Sequence, residues 1–474
     1  MWRRNSAPLT RAGKPTLPSR GKCFPRWHNK RQGENTVYKR PLNPSELPKE
    51  LPYLDNTAPL SAPCRTAGHT LPNRIVYQPM EGCDGTGDGT PGELTVRRYH
   101  RFAHGGPGLI WFEATAILPE ARANPRQMML TEKNADAYKK LLDEMRELSL
   151  RENGYAPLIV CQLTHSGRYS KPNGYPEPLV AQHRPLFEGD KPLAEDRILS
   201  DDYLASLPER YAYAARLASE VGFDGVDIKA CHGYLLSELL GAYGRSGPYG
   251  GEAYENRTRL LLSAVEAVKA SAPDSLLLAS RFNAYDGFPY PHGFAASDKA
   301  GVPDLREPRR LAGDLVARGV RLLDVTMGNP YQNNEVNRPT AFAEAVPPYE
   351  SILRMRAGAI AVSEAARAVA ADALTVVSGY TYLGAEAAHV AAADIDAGKY
   401  ELVGFGRQSF ADPDSARDIL RNGCADPRRL CLTCGKCTAL MRAGKTPGCV
   451  IYDKEIYGSL YRETFAKQDG GNKA

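Results

Sequence analysis

The chain has 474 residues, of which 42% are hydrophobic and 24% are charged, a composition that excludes disorder throughout. Its net charge of +5 is uneven, because residues 1–40 hold eleven Lys and Arg side chains and one acid, Glu34. The rest is mildly acidic, so charge gives no support for nucleic-acid binding by the body of the protein. The longest apolar runs are too short to predict a membrane span, and we expect a cytoplasmic protein.

The N-terminal segment, residues 1–55, is basic and rich in proline. It lacks the apolar run of a secretory signal, so it is interpreted as a flexible extension. A transit-like arm and a start codon placed too early remain alternatives. We expect a catalytic domain over residues 56–422 and a short metal-binding segment over residues 423–474.

Short β-rich runs alternate with helical patterns from residue 74 onward, which indicates βα units and a parallel sheet. No dinucleotide-type glycine fingerprint follows the first run. Eight such units favour an α/β fold of the (β/α)8 TIM-barrel type over an open doubly wound sheet. The predicted strands are Arg74–Pro79, Gly108–Glu113, Pro157–Leu163, Asp224–Lys229, Leu276–Phe282, Val320–Thr326, Ala373–Ser378 and Tyr400–Gly406.

Polar residues lie at or just beyond the ends of these strands. In a barrel they converge on one mouth, where they can hold the polar edge of a flat heterocycle, with Arg407 beside glycines for a phosphate. They are Glu81, Gln162, Lys229, His232, Arg281, Gly406 and Arg407.

A group of four cysteines follows the last predicted strand. The spacing is C-x2-C-x2-C and then eleven residues before the fourth cysteine, and the members are Cys431, Cys434, Cys437 and Cys449. Three thiolates in one tight turn can bind three corners of a [4Fe–4S] cluster while a later cysteine binds the fourth. A zinc site remains an alternative, although structural zinc prefers two separated C-x2-C pairs.

Five stretches in order resemble the Old Yellow Enzyme family, and the cysteine segment resembles its iron–sulfur branch of dienoyl-CoA reductases, enoate reductases and trimethylamine dehydrogenase. The resemblance covers about residues 60–450 and implies an FMN-binding TIM barrel. The stretches are NRIVYQPM from Asn73, QLTHSGR from Gln162, GFDGVDIKACHGYLLSELL from Gly222, YGGEAYENR from Tyr249 and FGRQSFADP from Phe405.

The resemblance also implies a role for individual residues. Gln162 would bind the pyrimidine edge of FMN, and Arg281 would stabilise its reduced form. His232 would bind substrate and Tyr234 would donate a proton. The remaining FMN contacts would form two groups. Residues 78–80, which include Pro79 and Met80, would contact the flavin ring together with Ala114, and Glu81 would lie near it. The phosphate would be bound by Gly379, Gly406 and Arg407.

Two residues depart from the family pattern. Lys229 replaces the first member of the substrate-binding pair, and Glu81 stands where the family often has Thr or Cys. We expect these two side chains to interact across the mouth, the alternative being that Glu81 points to solvent. In addition, the YGG and ENR motifs are separated by one residue more than in the family.

The resemblance implies reduction of an activated C=C bond in an enone or enoyl substrate. Hydride would pass from flavin N5 to the β-carbon, Lys229 and His232 would polarise the carbonyl, and Tyr234 would protonate the α-carbon. Electrons would come from NAD(P)H or, through the cluster, from a separate reductase or ferredoxin. Because the chain ends 25 residues after Cys449, we expect the FAD- and NAD-binding domains of larger relatives to be absent. Oxidative amine demethylation and a non-catalytic electron-relay subunit remain alternatives.

Overall fold

Eight parallel strands close into a barrel in the computed structural model, which describes residues 47–299, 301–338 and 348–466. Each strand pairs with its neighbours in chain order, and the last pairs with the first. All eight predicted strands are confirmed, with ends shifted by a few residues. The barrel strands are β3 (Ile75–Tyr77), β4 (Leu109–Ala116), β5 (Leu158–Thr164), β6 (Gly225–Ile228), β7 (Leu277–Asn283), β8 (Leu322–Thr326), β9 (Leu374–Val377) and β10 (Leu402–Phe405).

Helices surround the barrel and link its strands. Gly222 and Gly319, both with φ of +101°, stand just beyond the helices Asp201–Glu220 and Arg306–Ala317, where a left-handed residue ends a helix. The helices are α1 (Glu93–His104), α2 (Ala135–Asn153), α3 (Pro185–Glu188), α4 (Asp201–Glu220), α5 (Leu235–Leu240), α6 (Tyr254–Ser271), α7 (Arg306–Ala317), α8 (Pro348–Val369), α9 (Ala387–Asp396), α10 (Arg407–Ala411), α11 (Ser415–Asn422), α12 (Lys436–Arg442) and α13 (Ser459–Phe465).

The N-terminal end of the barrel is closed by an antiparallel hairpin that the sequence patterns did not predict. It consists of β1 (Cys64–Thr66) and β2 (His69–Leu71). Leu71 is fully buried and packs with the inward-facing Val76, Leu109 and Trp111 at the start of their strands. Because this end is filled with apolar side chains, the opposite end is left for a site.

The cysteine-bearing segment folds back onto the barrel. The Asp453 carboxylate binds Arg97 at 2.8 Å and Arg101 at 2.7 Å, both on α1. Thr446 donates to the carbonyl of Cys83 at 3.3 Å, just after β3. These contacts hold the segment against the C-terminal ends of the strands.

Most of the basic extension, residues 1–46, lies outside the described residues. Residues 47–55 lie along the barrel, where Leu51 is buried and the amide of Leu54 donates to the carbonyl of His389 in α9. The predicted domain boundaries at residues 55 and 422 remain predictions. Within the described part of the chain, none of the helices has the length and apolarity required to span a bilayer.

Candidate active site

A cavity lies at the C-terminal ends of the barrel strands and opens to solvent. All twelve residues predicted to bind FMN or to act in catalysis line it, and so does one of the four cysteines, Cys437. The twelve are Pro79, Met80, Glu81, Ala114, Gln162, Lys229, His232, Tyr234, Arg281, Gly379, Gly406 and Arg407.

Two buried aspartates set the positions of the polar groups in the cavity. Asp227 in β6 accepts from the Gln162 side chain at 2.7 Å, from the Trp111 indole at 2.9 Å and from the backbone N–H of Arg281 at 2.7 Å. Asp324 in β8 lies 2.8 Å from Nε of Arg281. The two carboxyl groups stand on β6 and β8, the strands on either side of β7, which carries Arg281. The barrel register therefore fixes the glutamine and the arginine relative to each other.

Burial raises the pKa of Asp324 to about 7, against the opposing effect of the Arg281 guanidinium. Asp324 also accepts a hydrogen bond from Nε2 of Gln78 at 3.1 Å, which leaves Oε1 of Gln78 buried without a partner in the described residues. Asn337 Oδ1 is a second such oxygen, and both residues line the cavity. Buried acceptors of this kind favour a bound molecule that carries hydrogen-bond donors.

Tyr234 lies at the centre of a hydrogen-bonded group of side chains on the other side of the cavity. Its hydroxyl is 3.3 Å from Oε2 of Glu81 and 3.0 Å from the hydroxyl of Tyr331. Asn124 donates to the second oxygen of Glu81 at 3.0 Å. The Lys229 ammonium lies 3.8 Å from the centre of the Tyr234 ring, in cation–π contact.

Burial determines the protonation of these groups. It raises the pKa of Tyr234, and the neighbouring Glu81 raises it further, so the phenol keeps its proton at neutral pH. Burial also raises the pKa of Glu81, although the charge of Lys229 opposes that shift. The pKa of Lys229 is lowered by burial. The pKa of His232 falls well below its ordinary value because of burial and the positive charges of Arg281 and Lys229, which makes its imidazole neutral.

Glu81 does not point to solvent, as the alternative prediction held, but into the cavity. The predicted interaction of Glu81 with Lys229 is present as an influence of each charge on the pKa of the other, without an ion pair within 4.0 Å between these two described side chains. Tyr234 contacts both, the carboxylate through its hydroxyl and the ammonium through its ring. The interaction between the two charges is therefore electrostatic and acts across a tyrosine.

A positively charged end of the cavity lies near β9 and β10. Gly379 has φ of +89°, and Arg407 begins α10 directly after Gly406. Arg338, from the loop after β8, lines the same end. Burial lowers the pKa of Arg338 to about 10, and the adjacent Arg407 lowers it in the same direction. Two neighbouring guanidinium groups beside glycines form a site suited to a phosphate.

The four cysteines lie near one another at this end, beside α12. Burial raises the pKa of Cys431, and the thiols of Cys437 and Cys449 raise it as well. The pKa of Cys449 is likewise raised by burial and by the thiols of Cys437 and Cys434. Across the described ranges, however, no group of three or more His, Cys, Asp or Glu side chains is arranged to hold a single metal ion.

Several site residues escaped the sequence analysis. Asp227 and Asp324 are acids in the interior of otherwise apolar strand runs, and that was a usable signal. Asn124, Asn337 and Arg338 lie in loops whose path no local pattern determines. Arg168, in the segment after β5, does not line the cavity and instead forms ion pairs with Glu188 and Glu238.

Comparison with known proteins gives a family match and several relatives. The model of the NADH:flavin oxidoreductase / NADH oxidase family matches residues 59–315. NADPH dehydrogenase of Geobacillus thermodenitrificans is 32% identical over 278 residues, which cover 57% of this chain and 73% of that protein. NADPH dehydrogenase of Clostridium acetobutylicum is 28% identical over 281 residues, covering 57% and 79%.

Solved structures share the fold. Morphinone reductase in complex with tetrahydroNAD has a TM-score of 0.56 at 24% identity, covering 77% of this chain and 90% of that one. The 2-naphthoyl-CoA reductase complex has a TM-score of 0.68 at 19% identity, covering 85% of this chain. Histamine dehydrogenase from Rhizobium sp. 4-9 has a TM-score of 0.63 at 19% identity, covering 83%. The chain spans 58% and 52% of the length of these last two proteins.

The family match extends over more than half of the chain and includes β3 to β7 with the Gln162, Lys229, Tyr234 and Arg281 side chains of the cavity. The chain therefore belongs to the NADH:flavin oxidoreductase / NADH oxidase family and is an FMN-dependent oxidoreductase.

Proposed function

We propose that the protein reduces an activated C=C bond of an enone or enoyl substrate in this cavity. The observation that carries the proposal is the buried hydroxyl of Tyr234, a proton donor held in the same cavity as the fixed Gln162 and Arg281. Three further groups, Lys229, His232 and Glu81, surround the space beside that hydroxyl.

The cavity fits FMN. The unpaired oxygens of Gln78 and Asn337 suit the donors of a flavin, and Gln162 and Arg281 are suited to its pyrimidine edge. The predicted ring contacts are Pro79, Met80, Glu81 and Ala114, and the predicted phosphate contacts are Gly379, Gly406 and Arg407, to which we add Arg338. When bound, FMN supplies hydride chemistry.

The protein side chains would then divide the remaining work. Lys229 and the neutral imidazole of His232 would donate hydrogen bonds to the carbonyl oxygen that activates the alkene. Tyr234 would transfer its proton to the α-carbon. The ammonium of Lys229, 3.8 Å from the Tyr234 ring centre, would stabilise the phenolate left behind.

Oxidation of an amine fits the cavity less well. A cationic amine needs the open face of an aromatic ring, and the ammonium of Lys229 already lies against the ring of Tyr234. A second cation at that position would be repelled. The histamine dehydrogenase relative supports only the shared fold.

We further propose that Cys431, Cys434, Cys437 and Cys449 bind a [4Fe–4S] cluster, which would assign the protein to the iron–sulfur branch. A four-iron cube is wider than one ion, so its thiolates lie farther apart than those that share zinc. The described thiols raise the pKa values of one another but are not arranged to hold a single metal ion, which is consistent with the wider spacing of cluster ligands. The cluster, when bound, supplies one-electron transfer.

Electrons would come from a separate reductase or ferredoxin, with NAD(P)H as the other candidate donor. Cys437 on α12 lines the cavity together with Thr438 and Met441, so the cysteine segment and the flavin site would share a wall. This shared wall supports a donor that delivers single electrons through the cluster. Anaerobic reduction of the flavin by ferredoxin, NADH and NADPH in parallel distinguishes the donors.

The test of the reductase proposal is the variant Tyr234→Phe in an anaerobic assay with an enone. We expect a loss of about 10²–10⁴-fold in the rate of alkene reduction, the contribution of a positioned proton donor. Tyr213→Phe, at an exposed tyrosine on α4, is the control. An electron-relay subunit would be indifferent to both changes, and wild-type protein that reduces no enone or enoyl substrate would refute the reductase proposal.

The cluster proposal is tested by iron and sulfide analysis of anaerobically purified protein. We expect about four iron atoms per chain and a broad visible absorption beside the flavin bands. Cys437→Ser should lose iron, whereas Cys64→Ala, at a buried thiol under the barrel, should retain it. Zinc in place of iron would refute the cluster.

A further inference from the structure

We propose that the carboxyl group of Glu81 donates a proton to the phenolate of Tyr234 after each turnover and so restores the phenol. This inference rests on the proposed alkene reduction. It assigns a role to a residue that departs from the resembling family, in which Thr or Cys often stands at this position. Glu81 acts through Tyr234 and so is a proton-supplying residue rather than a second donor to substrate.

The geometry connects Glu81 to Tyr234 on one side and to the cavity on the other. Oε2 of Glu81 is 3.3 Å from the Tyr234 hydroxyl, within reach of direct proton transfer. Tyr234 itself is only 2% exposed, whereas Glu81 is partly exposed along the cavity wall. Water in the cavity therefore reaches the carboxyl group more readily than the phenol.

The charged and titratable groups that face Glu81 come from several elements. Lys229 follows β6, Tyr331 follows β8, Cys83 follows β3 and Glu113 lies in β4. Lys229 alone among them favours the ionised form, and burial opposes it more strongly. The net effect is a raised pKa of Glu81, which favours the protonated carboxyl group that the proposal requires, although hydrogen bonds from Tyr234 and Asn124 oppose it together with Lys229.

The proton balance of the proposed cycle is complete. The O–H bond of Tyr234 breaks as its proton forms a C–H bond at the α-carbon, leaving a phenolate. The O–H bond of Glu81 then breaks and the phenolate takes that proton, leaving a carboxylate. Water in the cavity returns a proton to Glu81, and Lys229 stabilises whichever of the two groups is anionic.

Tyr331 is the other hydrogen-bond partner of Tyr234, and it is a poorer source. Its pKa is raised by burial and further by Glu81. Tyr169 stacks on it with ring centres 3.8 Å apart, which covers one face of the ring. A phenol with a raised pKa gives up a proton to another phenolate less readily than a carboxyl group does. Tyr331 therefore orients the hydroxyl of Tyr234 and provides a matched control.

The experiment compares the first turnover with later turnovers. Flavin-loaded protein is held reduced anaerobically by an excess of dithionite and mixed with excess enone, and the alkene consumed is measured in quenched samples after the first and after later turnovers. Glu81→Gln keeps the shape of the side chain but has no acidic proton. Its later turnovers should be slower than its own first turnover by about 100-fold, because Tyr234 starts protonated and then lacks a proton source. Glu81→Asp should restore much of the later rate, and Tyr331→Phe should show no such burst.

Equal slowing of the first and later turnovers in Glu81→Gln would indicate a structural role and overturn the proposal. So would steady turnover at the wild-type rate. If wild type reduces no enone, the proposed function itself fails, a different outcome. If Glu81→Gln loses its flavin, infrared spectra of the wild-type protein provide the test instead. At neutral pH the proposal requires a band from a protonated carboxyl group that shifts in Tyr234→Phe. Absence of that band would overturn the proposal.

Discussion

Asp227 is the residue whose replacement tests most directly how the barrel positions its cofactor site. Its carboxylate is fully buried in β6 and accepts three hydrogen bonds, from Trp111, Gln162 and the backbone of Arg281. The variant Asp227→Asn keeps the volume of the side chain and replaces one acceptor oxygen by an NH₂ group. All three neighbours are donors, so this NH₂ group faces at least one other donor.

The magnitude follows from the two orientations of the new amide. If nitrogen replaces Oδ1, the backbone N–H of Arg281 loses its acceptor; if it replaces Oδ2, both Trp111 and Gln162 lose theirs. Each buried unsatisfied donor costs about 1–3 kcal/mol. The first orientation loses fewer bonds and leaves two buried donors facing each other, the N–H of Arg281 and the new NH₂ group, so we expect the free energy of unfolding to fall by about 2–6 kcal/mol.

Urea unfolding without added FMN measures that change, and a flavin titration measures the second effect. Gln162 keeps only a neutral partner in the variant, so FMN should bind more weakly, by about tenfold for each 1.4 kcal/mol lost. Asp274→Asn, at a side chain that is 98% exposed, should change neither quantity. Unchanged stability together with unchanged FMN affinity would refute the argument that Asp227 holds Gln162.

Three further predictions follow from the described contacts. Arg168→Met removes the Arg168 ion pairs of Glu188 and Glu238, which then keep His183 and Arg184 as their charged partners, and should cost about 1–3 kcal/mol in urea unfolding. Burial alone would raise the pKa of Glu188, but hydrogen bonds, including that from Arg168, lower it to about 2. The ionised carboxylate therefore stabilises the folded protein above pH 4.5, and this stabilisation is lost as the pH falls toward 2. In Arg168→Met the loss of stability over that pH range should be smaller. Gly379→Ala should lose about 1–2 kcal/mol, because φ of +89° strains any side chain, and should weaken FMN binding in the same titration. The pH profile of alkene reduction should show no inflection near pH 6.5, because the depressed pKa of His232 keeps the imidazole neutral there.

Controls and contrary outcomes are available for each. Arg306→Met, whose side chain is 90% exposed, should cost less than about 1 kcal/mol. Gly87→Ala has open space and no positive φ, so it should be neutral. Three outcomes would contradict the structural reasoning. Arg168→Met could lose less than about 1 kcal/mol of unfolding free energy, or Gly379→Ala could keep full FMN affinity. The third is an inflection near pH 6.5 in the activity profile that His232→Asn removes.

Local sequence patterns were sufficient for the barrel itself. Buried parallel strands are short apolar runs, and their alternation with amphipathic helices leaves little choice of topology. The residues at strand ends were predictable for the same reason, because the C-terminal ends of all strands face one mouth. Gln162 and Arg281 were therefore expected in one cavity, and they lie there.

The protonation and pairing of those residues depended on the tertiary structure. Glu81 and Lys229 were expected to interact across the mouth, but no sequence pattern indicated that Tyr234 lies between them, with its ring against the ammonium and its hydroxyl hydrogen-bonded to the carboxylate. Arg338 comes from a long loop and reaches the positive end of the cavity. Such positions depend on packing among segments far apart in the chain, which no local pattern encodes.

The sequence by itself thus determined the eight-stranded architecture and the set of side chains at its mouth, since strand periodicity and strand order follow from short-range patterns. Only the tertiary structure decided that Asp227 and Asp324 fix the glutamine and the arginine, and that Glu81 lies half-buried beside a protonated tyrosine. The physical reason is that desolvation and hydrogen-bond geometry, which control the charge of a side chain, depend on neighbours that only the folded chain brings together.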